Sequence, residues 1–121
     1  MAGKEGHALF MDAGTAHQLC ELVDTTGRTR LVEPYMVYQS SRGKNLFHCY
    51  QTGGYSKSGR VIGWKNPEVA SFVRASIHNE PFVPRVEYNP FNLEMFPVVY
   101  FSLPTREGRT RQGFPRSMQA S

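Results

Sequence analysis

Apolar residues in this chain recur in short alternating runs broken by glycine and proline, a pattern that predicts strands and turns rather than long helices. The clearest runs form a hairpin. Residues 30–38 (RLVEPYMVY) are rich in β-branched and aromatic side chains, Ser40 to Lys44 supplies a polar turn with a central glycine, and Leu46 to Thr52 returns as a second strand. Within the outgoing strand Glu33, Tyr35 and Val37 alternate against Val32, Pro34, Met36 and Tyr38. Pro34 has no N–H to give to a ladder, so the strand must be an edge there or carry a bulge. Beside it, Glu33 reads either as a buried acid that fixes the bend by accepting backbone N–H groups, or as a surface glutamate on an edge. In the returning strand Leu46, His48 and Tyr50 alternate with Phe47, Cys49 and Gln51. No acid or second histidine stands at ligand spacing from His48, which therefore reads as a plain strand residue.

Around this hairpin the other runs are weaker. His17 to Asp24 precedes a Thr25-Thr26-Gly27 turn and reads as a first strand. Val69 to Ile77 alternates as a fourth, although Pro67-Glu68 would also open a helix on which Val69, Phe72, Val73 and Ser76 share a face; the strand is the reading adopted. Residues 80–84, with two prolines, are extended, and Asn89-Pro90 reads as a turn. Met95 to Leu103 is the most apolar run of the second half and should close the fold, with Pro97 confining its start to an edge or bulge. Residues 1–16 hold three glycines and no sustained period, with only Leu9 and Phe10 suited to docking. Residues 104–121 hold arginines, glycines and serines and almost nothing to bury. The expected organisation is mainly β: a flexible segment 1–16, one domain of about five strands over 17–103, and a basic disordered tail over 104–121.

Composition sharpens this picture. A chain of 121 residues is the size of one domain, and 11 glycines and 8 prolines suit many short strands and turns. No apolar run is long enough for a membrane span, and the four apolar residues from Ala8 to Met11 are too few for a signal-peptide core, so a cytoplasmic protein with no membrane partner is expected. Cys20 and Cys49 fall in separate strands without CxxC or Cys/His spacing, which predicts free, mostly buried thiols, no metal and no cofactor. Charge is unevenly placed. Residues 1–27 carry one lysine against four acids, whereas the rest of the chain carries thirteen basic residues against six acids. Ten of the fourteen basic residues are arginines, whose planar fork suits phosphate and carboxylate. The surplus points to an anionic partner, the alternative being a basic surface that only aids solubility.

The candidate working surface is the loop from Gly53 to Gly63, which packs glycines, serines, basic residues and an aromatic into a short connection. Backbone N–H groups of this glycine-serine loop, which holds Gly54, Ser56 and Ser58, would cradle phosphate oxygens, Lys57, Arg60 and Lys65 would add charge, and Tyr55 would offer a stacking face. Tyr35, Tyr50 and Gln51 would form the adjoining wall. A nucleotide or single-stranded nucleic acid is the ligand this chemistry favours; a merely long hairpin loop is the plain alternative. The order is not that of a P-loop, which needs GxxxxGK[ST] between strand and helix. An enzyme is disfavoured, because Ser56 and Ser58 lack a nucleophile elbow and an adjacent acid or base. A third reading is a structural or interaction protein that assembles, as a homo-oligomer or with another protein, through edge strands weakened by Pro34 and Pro97.

The run LVEPYMVY, a glycine turn and LFHCYQTGGYSKSGRVIGWK together resemble the WYL-domain superfamily, in particular its short members. The likeness rests on Glu33-Pro34-Tyr35, Tyr50-Gln51, the loop residues Gly54, Ser56, Ser58 and Gly59, and Gly63-Trp64-Lys65, and covers residues 17–103. What the resemblance implies is a small Sm-like or SH3-like barrel acting as a ligand-sensing or nucleic-acid-binding regulatory module of bacteria or their phages. The superfamily's name-giving tripeptide falls on Asn45-Leu46-Phe47 and is absent. The arginine-bearing strand that follows the tryptophan falls on Pro67 to Phe72 and is largely erased. With only sixteen residues before the barrel, the expectation is a stand-alone module without its own DNA-reading helix.

Overall fold

The computed structural model describes residues 2–111, with side chains from residue 7 onward. A helix α1 (Ala2–Thr15) is followed by β1 (Gln18–Asp24), β2 (Thr29–Gln39), β3 (Asn45–Gly54) and β4 (Gly63–Lys65). A single 3-10 turn (Val69–Ser71) then leads into β5 (Phe72–Pro81), and β6 (Val98–Ser102) comes last. All six strands form one antiparallel sheet in the order β4-β3-β2-β1-β5, with β6 added beside β2. The chain is mainly β, as its alternation predicts. The sheet is not closed, because its end strands β4 and β5 do not pair with each other.

The organising strand is β2. Along one edge it pairs with β3 throughout; along the other it pairs with β1 from Thr29 to Val32 and with β6 from Met36 to Gln39. Pro34 sits where the partner changes, so its missing N–H deprives neither ladder. The register against β3 also slips between Pro34 and Met36, leaving Tyr35 as the extra residue of a bulge. The bulge required by Pro34 is thus present, and it breaks the alternation assumed for this strand. Val32 and Val37 turn to one face, while Tyr35, Met36 and Tyr38 turn to the other.

Both faces of the sheet are covered. On one, α1 lays Phe10 and Ala13 onto Cys20, Leu22, Val32, Phe47, Cys49, Phe72 and Ala75. Phe10 is fully buried and stacks on Phe47 at 4.1 Å, a burial worth about 2–3 kcal/mol. Within the segment expected to be loose, residues 2–15 therefore form a helix, which packs through Leu9, Phe10, Met11 and Ala13. Few apolar residues and three glycines within α1 hide it in the sequence, since its stability comes from the sheet beneath it rather than from propensity. On the other face Leu19, Tyr35, Met36, Tyr38 and Val99 are capped by Phe82, Tyr88 and Phe96 from the irregular segment 82–97. Residues 69–71 form a helical turn and 72–81 a strand, so the strand reading holds from Phe72 onward.

The expected disordered tail is ordered at its start. Thr105 N–H donates to the Arg109 carbonyl at 2.8 Å, Arg106 Nε to the Pro84 carbonyl at 2.9 Å, and an Arg111 guanidinium N–H to the Pro90 carbonyl at 3.0 Å. The arginines that read as solvated charge dock segment 104–111 onto carbonyls of the capping segment; residues 112–121 lie outside the described residues. Both cysteines are free and buried, and burial pushes each thiol up to about 12. No helix among the described residues is long and apolar enough to cross a membrane.

Candidate functional site

The Gly53–Gly63 loop is held by an internal frame. Gln51, fully buried, donates from Nε2 to the carbonyls of Gly53 at 3.0 Å and Tyr55 at 2.7 Å, and its Oε1 accepts from Arg30 at 3.1 Å. Tyr55 N–H donates to the Thr29 carbonyl at 2.7 Å, Gly59 N–H to the Ser56 carbonyl at 3.1 Å and Arg60 N–H to Ser58 Oγ at 3.3 Å. The first of these amides ties the loop to β2 and the other two are spent within the loop. Lys65 Nζ closes the base of the loop by donating to Ser56 Oγ at 3.3 Å and to the Arg60 carbonyl, and the two serine hydroxyls lie 3.2 Å apart.

Between this loop, the start of β2 and the 3-10 turn lies a cleft of about 510 Å³ lined by Asp24, Arg28, Arg30, Tyr55, Lys57 and Phe72, among others. A shallower recess of about 240 Å³, lined by Arg30, Ser56, Lys57, Ser58, Lys65, Asn66 and Pro67, shares several of those residues. The recess has three cations and no carboxylate. The acids at the larger cleft are occupied: Glu68 pairs with Lys44 at 3.0 Å, and Asp24 with Arg28 at 3.3 Å. Hydrogen bonds from Thr26, together with those from Arg28, hold the Asp24 carboxyl down to about 2. Among the described residues no carboxylate lies within ion-pair distance of Arg30, Lys57, Arg60 or Lys65. A concave surface lined by unneutralised cations has a potential that concentrates anions.

The structure brings together Tyr55, Ser56, Lys57, Ser58 and Lys65, with Gln51 beneath them, and separates the rest of the predicted set. Tyr35 is fully buried; its hydroxyl donates to Glu33 Oε1 and accepts from Arg85 N–H, each at 2.9 Å, and burial raises its pKa. It belongs to the core, because the bulge turns it inward. Tyr50 is covered by the Arg85 guanidinium at 3.6 Å and packs edge-on against Trp64 at 5.4 Å, so its face is taken. One face of Tyr55 is likewise occupied, by Arg28 at 4.1 Å. Gly54 acts through its backbone. Arg60 lines neither cavity, its carbonyl rather than its side chain being used.

Sequence reasoning missed Arg28, Arg30 and Asn66. Arg28, just before β2, and Arg30, within it, stand close in sequence, but the elements that complete the cleft come from distant sequence. Asn66 Oδ1 accepts from Tyr38 Oη at 3.0 Å and lies 2.8 Å from His48 Nδ1. His48, buried and stacked on Trp64 at 4.8 Å, has its pKa lowered by desolvation and serves as a neutral core residue. Glu33 is buried, as one of its two readings has it, but it accepts from Arg85 and Tyr35 side chains rather than from backbone. Among the described residues no group of three His, Cys, Asp or Glu is placed to hold a metal ion. Compared with models of protein families, with curated proteins and with solved structures, the chain has no match.

Proposed function

We propose that this protein is a non-enzymatic binding module for an anionic ligand, a nucleotide or a single-stranded nucleic acid, held in the cleft between the Gly53–Gly63 loop and the start of β2. The observation that carries the reading is the convergence of Arg30, Lys57 and Lys65 on one recess that holds no carboxylate. Arg30 supplies a fork for phosphate oxygens and is oriented by Gln51, while Lys57 and Lys65 act as point charges. Ser56 and Ser58 offer hydroxyls beside them. Tyr55, with Arg28 on one face, gives the larger cleft a single aromatic side chain for a base. In this reading the protein is a cytoplasmic regulatory module of the WYL-like kind, bacterial or phage in origin. The register slips at Tyr35 and between Leu31 and Val32 support this reading, since bulges are how small barrels bend their long strands.

Fluorescence anisotropy with a labelled single-stranded oligonucleotide, and competition by free nucleotides, tests this directly. Arg30→Ala and Lys57→Ala should each weaken binding about tenfold, and losing both should reduce the salt slope by about 1.4. Arg60→Ala should change affinity by less than about twofold, because its side chain faces neither cavity. Equal losses at all three positions would mean diffuse attraction rather than a site, and an oligonucleotide and nucleotides that fail to bind at low salt would end the proposal.

A further inference from the structure

β5 is the terminal strand of the sheet. It is ten residues long and pairs with β1 along one edge, and among the described residues no strand pairs with its other edge. A long unpaired edge is a template for another strand, and proteins commonly blunt it with central prolines or repelling charges. In β5 the only proline is the last residue, and the two fully charged side chains are of opposite sign. Arg74 stands three residues before Ile77 and Glu80 three residues after it. Both are exposed, and neither has an ion-pair partner among the described residues. Val73 and Ile77 are large apolar side chains left 37% and 38% exposed on the same strand.

We propose that β5 is a homodimer edge, two copies of the chain joining it antiparallel about a two-fold axis through Ile77 to make one continuous sheet. In that register Ile77 faces Ile77 of the second copy, Ser76 faces His78, Val73 faces Pro81, and Arg74 faces Glu80. The symmetry makes the last pair occur twice. Directly opposed residues share a face of the sheet, and Arg74 and Glu80, an even number of positions apart, would share one in the regular strand that this pairing imposes, the ladder with β1 slipping register between Ile77 and Pro81. Ile77 stands on the α1 face, since its partner on β1 is Cys20 of the core beneath the helix. Moving the axis to Ser76 would set Arg74 against His78 and Glu80 against Phe72, and moving it to His78 would set Glu80 against Ser76. Of these registers only the one through Ile77 matches the charges. This inference is independent of the ligand reading, because none of the residues from Val73 to Pro81 lines the cleft.

Sedimentation equilibrium of the full chain over a concentration series gives the test. The mass should rise from 13.7 kDa toward twice that value. Arg74→Glu alone and Glu80→Arg alone should each weaken self-association about tenfold or more, since each opposes like charges twice. The double reversal should restore it, and so should mixing the two single variants. In a Cys20→Ala background, needed because Cys20 lies directly opposite on β1, Ile77→Cys should give a disulfide-linked dimer on oxidation, Cys49 being buried; this readout also decides the matter if a charge variant misfolds. A wild-type chain that stays monomeric overturns the proposal, as does a dimer unaffected by either single change or not recovered by the double one.

Discussion

At Gly54 the backbone adopts φ +91°, and a Cβ there would run into the Thr29 carbonyl and come within 2.9 Å of the Arg30 Cα. Gly59, with φ +84°, has open space around it instead. The two glycines look alike in the sequence and differ in what surrounds them. Gly54→Ala should lower stability by about 2–4 kcal/mol, measured as a shift in urea midpoint, because it adds a steric clash to an unfavourable left-handed conformation. Gly59→Ala should cost only about 1 kcal/mol, the conformational part alone. Equal losses would show that the approach of the loop to β2 is not what Gly54 secures. The loop residues at the recess were legible in the sequence because they are contiguous. Tyr35 and Tyr50 were misplaced for one physical reason: a bulge and an overlying arginine decide which way and how openly an aromatic points, and neither shows in a strand's alternation.

Among the elements, the segment 82–97 does the work of a second covering layer without regular structure, and Arg85 ties it to the sheet. Its guanidinium donates from Nε and a terminal nitrogen to the two carboxylate oxygens of Glu33, each at 3.0 Å, and lies over Tyr50. Glu33 is nearly fully buried, whereas about a third of the Arg85 side chain remains in solvent. Arg85→Ala should therefore cost about 2–3 kcal/mol, below the usual penalty for orphaning a buried charge because water can partly replace the lost partner. Limited proteolysis should then cut within 82–97; a segment that stays resistant would show that Phe82, Tyr88 and Phe96 suffice to hold it. Strands with strong alternation were found from sequence, but α1 and this segment were not recognised as layers. Their apolar residues follow no sustained period, three prolines interrupting the second segment, and gain their meaning only from the sheet.

At the scale of the whole molecule, the centre of the sheet is buried on both faces, which explains why seven consecutive residues of β2, Val32 to Tyr38, are buried where alternation predicted half. The strand content was legible, and so was the need for a bend at Pro34; the covering layers were not, because they depend on contacts between distant residues. The divided edge of β2 has a kinetic consequence. β1 and β3 reach β2 through short turns, whereas β6 reaches it, Met36 against Ser102, only after the intervening chain has wrapped around. Closing the longer loop is slower, so β6 should be the last strand to join and the first to leave. Native-state hydrogen exchange should then show amides of Val98–Ser102 opening at lower denaturant than those of the β2–β3 ladder, and a single shared opening for all of them would contradict this order.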